Sequence, residues 1–215
     1  MNAALNKSML VSIFASVAFP VLAATTTVSS SVTWKAEAIK KTDVELNVFA
    51  SNDSLQFKWD PTNKRFSTAS SSLTVQAAGK VGTTSYQITS QLTRNKLTHV
   101  SGAAIGTVSI SSAVGGIAMD VAPVSILEGD RTKGVTLAAS GMNGMNLEFE
   151  GPNAATNGTY HEAERVKVDF NILSGTDSKN SPLSRGSAEA GLDKLADGTY
   201  EGVVEMNFVA SWTKS

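Results

Sequence analysis

The chain contains no cysteine. Thiol nucleophiles, zinc–thiolate centres and iron–sulfur clusters are therefore excluded. So are disulfides, the usual restraint on the unfolded chain of a small exported domain; stability must come from a large core or from association. Histidine is scarce, with His99 and His161 the two copies. His161, in "YHEAER", has Glu162 and Glu164 beside it. A metal site needs three or four converging ligands, so a solvated charged surface is the expected reading. His99, in "LTHVSG", stands at a strand end without an evident partner, and a surface position is expected for it. A Ser-His-Asp arrangement would have to use one of these two. The serine turns "ASGMNG" and "LSGTDS" do not form the Gly-x-Ser-x-Gly elbow.

Other signatures are missing as well. "AVGGIAMD" runs into strand-like alternation and not into a helix, so it is no phosphate loop. Glu148 and Glu150 lie two apart on one strand face, whereas a glycosidase pair must face each other across a cleft. Asp43 and Asp53 lie near turns without EF-hand spacing. No catalytic residue, metal ligand or cofactor is expected. Charge of one sign does not dominate: 18 Lys and Arg oppose 19 Asp and Glu, with no basic cluster. Nucleic acid and anionic membrane surfaces are thus excluded as partners.

Long apolar runs are confined to the start. "MNAALNKSMLVSIFASVAFPVLA" has one early cation at Lys7, an apolar run from Met9 to Phe19, a break at Pro20 and small residues before Ala24. Residues 1–23 read as a secretory signal cleaved between Ala23 and Ala24. Its apolar core is short for a bilayer span. The remainder is long enough for one domain with a proper core, and no shift in composition divides it.

What the chain does have is period-2 alternation. Val44, Leu46 and Val48, Leu55, Phe57 and Trp59, Leu73 and Val75, and Tyr86, Ile88 and Leu92 each mark one face of a short strand. Val108 and Ile110, Ile117, Met119 and Val121, Val135 and Leu137, and Met145, Leu147 and Phe149 continue the series. Val166, Val168, Phe170 and Ile172 form a longer row, and Tyr200, Val204, Met206, Phe208, Ala210 and Trp212 the longest. Asp60-Pro61, Asn157-Gly158 and Asp197-Gly198 supply turns between them. "SPLSRGSAEAGLDKLADG" suits a short helix or turn. For "FSTASSSLT" a flexible loop is expected, with a polar-faced strand as the alternative. About ten short strands with one apolar face imply an all-β sandwich.

One strand has no obvious place in it. "AATTTVSSSVTWKAEAIKK", Ala23 to Lys41, is β-prone, but its first half is small and polar and makes a poor core strand. An unpaired N-terminal strand and an amphipathic C-terminal strand are the parts that β-augmentation joins.

The sequence also resembles the Mat-type fimbrillins, the major subunits of the common pilus of enterobacteria, which an alternate chaperone–usher pathway assembles. Four blocks carry the resemblance: "WKAEAIKK", placed ten residues after Ala24; "SYQITSQLTRNKLTHVSG"; "FNILSGT"; and the ending "DGTYEGVVEMNFVASWTKS". Absence of cysteine fits the family too. The resemblance implies an immunoglobulin-like β-sandwich lacking one strand, with residues 24–33 as an N-terminal donor strand and 34–215 as the pilin domain. Thr26, Val28, Ser30 and Val32 would face a neighbour's groove, and Tyr200, Val204, Met206, Phe208 and Trp212 would line its wall. The implied partners are further copies in a head-to-tail polymer, a periplasmic chaperone, an outer-membrane usher and a tip subunit. The implied destination, reached through the periplasm, is an extracellular fimbria serving adhesion and biofilm formation. The rival readings are a minor or paralogous subunit, a self-contained secreted sandwich that binds a ligand, and a hydrolase built on carboxylates or one of the two histidines.

Overall fold

A computed structural model describes residues 30–38, 46–79, 83–145, 147 and 160–214. The proposed signal and its cleavage site, together with Thr26 and Val28, lie outside them.

Among the described residues fifteen strands form. They are β1 (Ser30–Ala38), β2 (Leu46–Ala50), β3 (Ser54–Phe57), β4 (Trp59–Asp60), β5 (Arg65–Phe66), β6 (Ala69–Ala78), β7 (Thr83–Arg94), β8 (Lys96–His99), β9 (Thr107–Val114), β10 (Ile117–Ala118), β11 (Val124–Asp130), β12 (Gly134–Ala138), β13 (Tyr160–Thr176), β14 (Pro182–Ser184) and β15 (Tyr200–Lys214). Two single 3₁₀ turns, Ala103–Ile105 and Leu192–Lys194, are the helical content of the described residues. The second occupies the segment expected to hold a short helix or turn.

The sheet runs β12-β11-β7-β15-β8-β9-β13-β6-β2, with β1 on the second edge of β15 and β3 on the outside of β1. It folds over because β7 and β8 are one run interrupted at Asn95. One edge of that run carries β15 throughout. Its other edge holds β11 along β7 and β9 along β8. Asn95 holds the parting by donating from Nδ2 to the Ile110 carbonyl at 3.0 Å and accepting the Ile110 N–H at 2.7 Å. The two layers share one apolar core, to which Ile88, Ile126 and Phe208 contribute from one side and Val75, Ile110, Val168 and Phe170 from the other. This is the all-β sandwich expected, with the place of the strand expected to be missing taken by β1 of the same chain.

Most alternating rows bury the residues they should, since successive side chains of a strand point to opposite faces. Leu46, Leu55, Phe57, Leu73, Val75, Ile88, Val108, Ile110, Val166, Phe170 and Phe208 are all at most 3% exposed. Four expectations are overturned. Ala69–Thr74 is not a loop but the start of β6, with Ala69, Ser71 and Leu73 inward and Ser70 pointing out to donate to Asp169 at 2.6 Å. Met145 and Leu147 are fully buried yet lie in no strand, because the Met145 N–H donates to the Met142 carbonyl at 2.9 Å and closes a turn. Val121 is 66% exposed, since β10 ends at Ala118 and the chain turns at Asp120, whose carboxylate accepts the Val121 N–H at 2.6 Å. Leu137 is also exposed, on the outermost strand β12.

The loops rely on aspartates that accept backbone N–H groups two to four residues ahead. Asp60 accepts from Asn63 and Thr62, Asp130 from Thr132, and Asp177 from Ser181 and Lys179. These bonds favour the carboxylate form, so each of the three carboxyls titrates below the ordinary 3.8. Asp169 is lowered by the Ser70 hydroxyl and then by Lys167, and Asp193 by Lys64. A carboxyl lowered in the folded state contributes stability that is complete above its unfolded value and is lost as pH falls through the folded one. The urea midpoint should therefore fall below about pH 4, and less steeply in an Asp130→Asn, Asp177→Asn double variant. An identical acid-side slope in the variant would count against this account.

Candidate functional site

A strand has two hydrogen-bonding edges, and those of β15 lie beside the core. Val204, Met206 and Phe208 are fully enclosed, Tyr200 is 4% exposed and Trp212 is half-buried. The five positions expected to form one wall thus share the core face of β15. One edge of this strand pairs with β7 and β8. The opposite edge, from Gly202 to Phe208, is taken by β1 of the same chain.

That pairing has an unusual sense. Val32–Ala38 run parallel to Gly202–Phe208, whereas every other ladder among the described residues is antiparallel. On its far side β1 meets β3 antiparallel, with Ser30 opposite Phe57 and Thr33 opposite Ser54. Ser30 and Ser31 are paired with β3 alone, and Trp34–Ala38 with β15 alone. Val32 and Thr33 are flanked on both sides, Val32 by Gly202 and Leu55 and Thr33 by Val203 and Ser54. The slot that holds β1 therefore has two walls. Sequence reasoning assigned the β15 wall; the β3 wall, Leu55 and Phe57, each 1% exposed, was visible only as an ordinary alternating strand.

Of the four residues expected to face a neighbour, Ser30 and Val32 lie in this self-paired strand, and β1 crosses the expected boundary between residues 33 and 34 without a break. Trp212 lies beyond the β1 ladder, which ends at Ala38 opposite Phe208, and is in register with Tyr86 of β7.

The slot ends in a small chamber. A cavity of about 130 Å³ opens beside Phe57 and Tyr200 and is lined also by Trp59, Phe66, Leu192 and Leu195. The Trp59 and Phe66 rings meet edge-on at 5.1 Å, and Lys64 on the turn between β4 and β5 reaches Asp193 at 2.9 Å. The Tyr200 hydroxyl donates to the Ala196 carbonyl at 3.0 Å, and burial pushes the phenol above its ordinary 10.0. Next to it, His99 is 8% exposed and not at the surface as expected. Its Nδ1 accepts the Ser101 N–H and its Nε2 lies 3.1 Å from the Asp197 carbonyl, with the ring edge-on to Tyr200. The turn residue Gly198, at φ 141°, makes room for it, because a Cβ there would lie 2.2 Å from Nε2. His99 thus ties the end of β8 to the start of β15. His161 is half-buried near the start of β13, and among the described residues no three His, Cys, Asp or Glu side chains converge. The chemistry offered by the slot is that of strand binding: backbone hydrogen bonds along two edges, with apolar side chains beneath.

Comparison with known proteins gives a family match over residues 27–212, to the family described as fimbrillin MatB. No curated protein matches the chain. Among solved structures, the CooA pilin subunit from enterotoxigenic Escherichia coli is similar at 15% identity and a TM-score of 0.45, with 79% of this chain and 89% of that one covered.

Gly202, opposite Val32 on β15, packs closely against β8 on the other edge. A Cβ there would lie 2.6 Å from the Lys96 carbonyl oxygen and 3.2 Å from Leu97 Cα. Those are backbone atoms of β8, so β15 would have to move. Gly202→Ala is expected to destabilise the fold by about 1–3 kcal/mol as an overpacking change. Glu201→Ala, on the exposed neighbour, should stay within about 0.5 kcal/mol. Urea melts of the two variants check the contrast.

Proposed function

The chain belongs to the MatB fimbrillin family and is a subunit of an extracellular pilus, and from that premise we propose that it is a structural shaft subunit whose copies join by donor-strand exchange. In this reading removal of residues 1–23 frees the segment from Ala24 to Thr33. Thr26, Val28, Ser30 and Val32 of one copy then enter the slot of the next, whose β15 wall carries Tyr200, Val204, Met206, Phe208 and Trp212; in the pairing that β1 has, Val32 meets Gly202, and the edge at Val204, Met206 and Phe208 belongs to Trp34, Ala36 and Ala38.

The observation that carries the reading is the β15 edge. A C-terminal strand with a fully enclosed apolar row has a second edge whose partner is the N-terminal strand, and a small, polar, β-prone segment leads into that strand. An identical element exchanged between copies keeps its pairing and changes only the molecule that supplies it. Because donor and acceptor are different surfaces, the contact is heterologous, does not close, and builds a filament.

An uncovered slot would expose apolar surface and an open sheet edge, a combination that aggregates. A periplasmic chaperone covering β15 and β3 before assembly, an outer-membrane usher presenting the subunit and a tip subunit ending the fibre complete the proposal. The fibre's work at the cell surface is then adhesion and biofilm formation. No cofactor takes part.

Two variants test it. Deleting Ala24–Val32 should abolish fibres in electron micrographs and leave chaperone-bound monomers in gel filtration; normal fibres from that truncation would sink the proposal. Val28→Asp should block polymerisation and spare chaperone binding, since burying an unpaired carboxylate is costly.

A further inference from the structure

The slot is not vacant in a single chain, and this bears on how a fibre grows. Ser30–Thr33 pair with β3, and Val32–Ala38 pair with β15, as one continuous strand. Two of the proposed donor residues, Ser30 and Val32, thus already have partners in their own molecule. A backbone edge holds one strand at a time. Ser30–Thr33 cannot pair with β3 of their own copy and enter a neighbour's slot together.

We infer that β3 is the second wall of the acceptor slot and that a free copy caps itself there, its own Ser30–Thr33 holding the place that a second copy's strand must take. The inference rests on the strand-exchange reading given above. Growth is then a swap and not an addition to an empty groove. The four-residue ladder between Ser30–Thr33 and Ser54–Phe57 must open before the incoming strand can form it again. The ladder that opens and the ladder that replaces it join the same residues. The swap is therefore slow to start, while its product, a chain of copies each capped by the next, is as well paired as the monomer. The self-capped form also hides the β3 edge and keeps separate copies from joining edge to edge.

The absence of native cysteine makes this directly testable. Thr33 and Ser54 are opposite one another across an antiparallel ladder, and Ser54 is exposed, which suits a Thr33→Cys, Ser54→Cys pair. Opposed residues of such a ladder lie about 4.5–5.5 Å apart at Cα, within the range a disulfide spans. The second pair, Ser31→Cys with Gln56→Cys, has the same opposition and an exposed Gln56; it guards against failure of the first to fold.

Monomers are oxidised, and non-reducing gels with peptide mapping read whether each link is within or between chains. The expected result is an intrachain link in monomers, loss of fibre growth from the linked monomers, and recovery of growth on reduction. Fibres oxidised after assembly should give a ladder of interchain links. If both pairs give no intrachain link in monomers while fibres still yield the interchain ladder, self-capping is overturned and strand exchange stands. Linked monomers that lengthen fibres as fast as reduced ones also overturn self-capping. If fibres contain intrachain links alone, the exchange reading fails at these residues.

Discussion

The second edge of β15 is the constraint on which the rest of the structure turns. This strand closes the core with Val204, Met206 and Phe208, and its first edge is committed to β7 and β8 along its length. The second edge runs along the same buried region, where each unpaired backbone group costs about 1–3 kcal/mol. A partner must therefore be found, and within one chain β1 supplies it from the opposite end of the sequence. The partner is held by a parallel ladder, the less stable kind per residue. It is placed between two walls only at Val32 and Thr33. A pairing that the fold cannot do without is thus made by one of its less securely rooted strands.

The lack of disulfides sharpens this. A cysteine-free exported domain depends on its core and on its turns, and both are in evidence here: an apolar cluster drawn from both layers, and aspartate-capped loops at Asp60, Asp130 and Asp177. The ladders that close the sandwich join residues far apart in sequence, as when Phe208 meets Ser90 or Trp34 meets Val204. Such long-range pairing is slow to form and leaves edges open while it does.

How much of this was legible in the sequence follows from what each residue responds to. Leu73, Val75, Val166, Val168 and Phe170 announce their faces by themselves, because a large apolar side chain on a period of two has one place to go. Ser70 and Ser72 announce nothing; their strand exists because β13 and β2 lie on either side of β6. Val121 and Leu137 continue an apolar alternation but end up exposed, since a turn at Asp120 and an outer edge at β12 decide the matter. His99 is buried by a glycine almost a hundred positions later, a pairing no local pattern encodes. At the slot, the β15 wall was readable as the longest alternating row. The β3 wall and the parallel register of β1 were not, because both are set by which distant edge is left over when the other strands have paired.

The composition of the N-terminal segment now has a physical reading. A strand built of large apolar residues would serve its own domain better, yet it would hold that slot so firmly that a second copy could not displace it. Thr25 to Thr33 are threonine, serine and two valines, residues that combine β-propensity with little apolar area to bury. In the proposed exchange, pairing of that kind would be nearly the same in any copy's slot, so one molecule's strand would replace another's with little change in energy. The apolar contribution is left to the walls, which stay where they are. Under the strand-exchange proposal, a weak strand over a strong groove lets a subunit remain folded alone and still give up its cap to a neighbour.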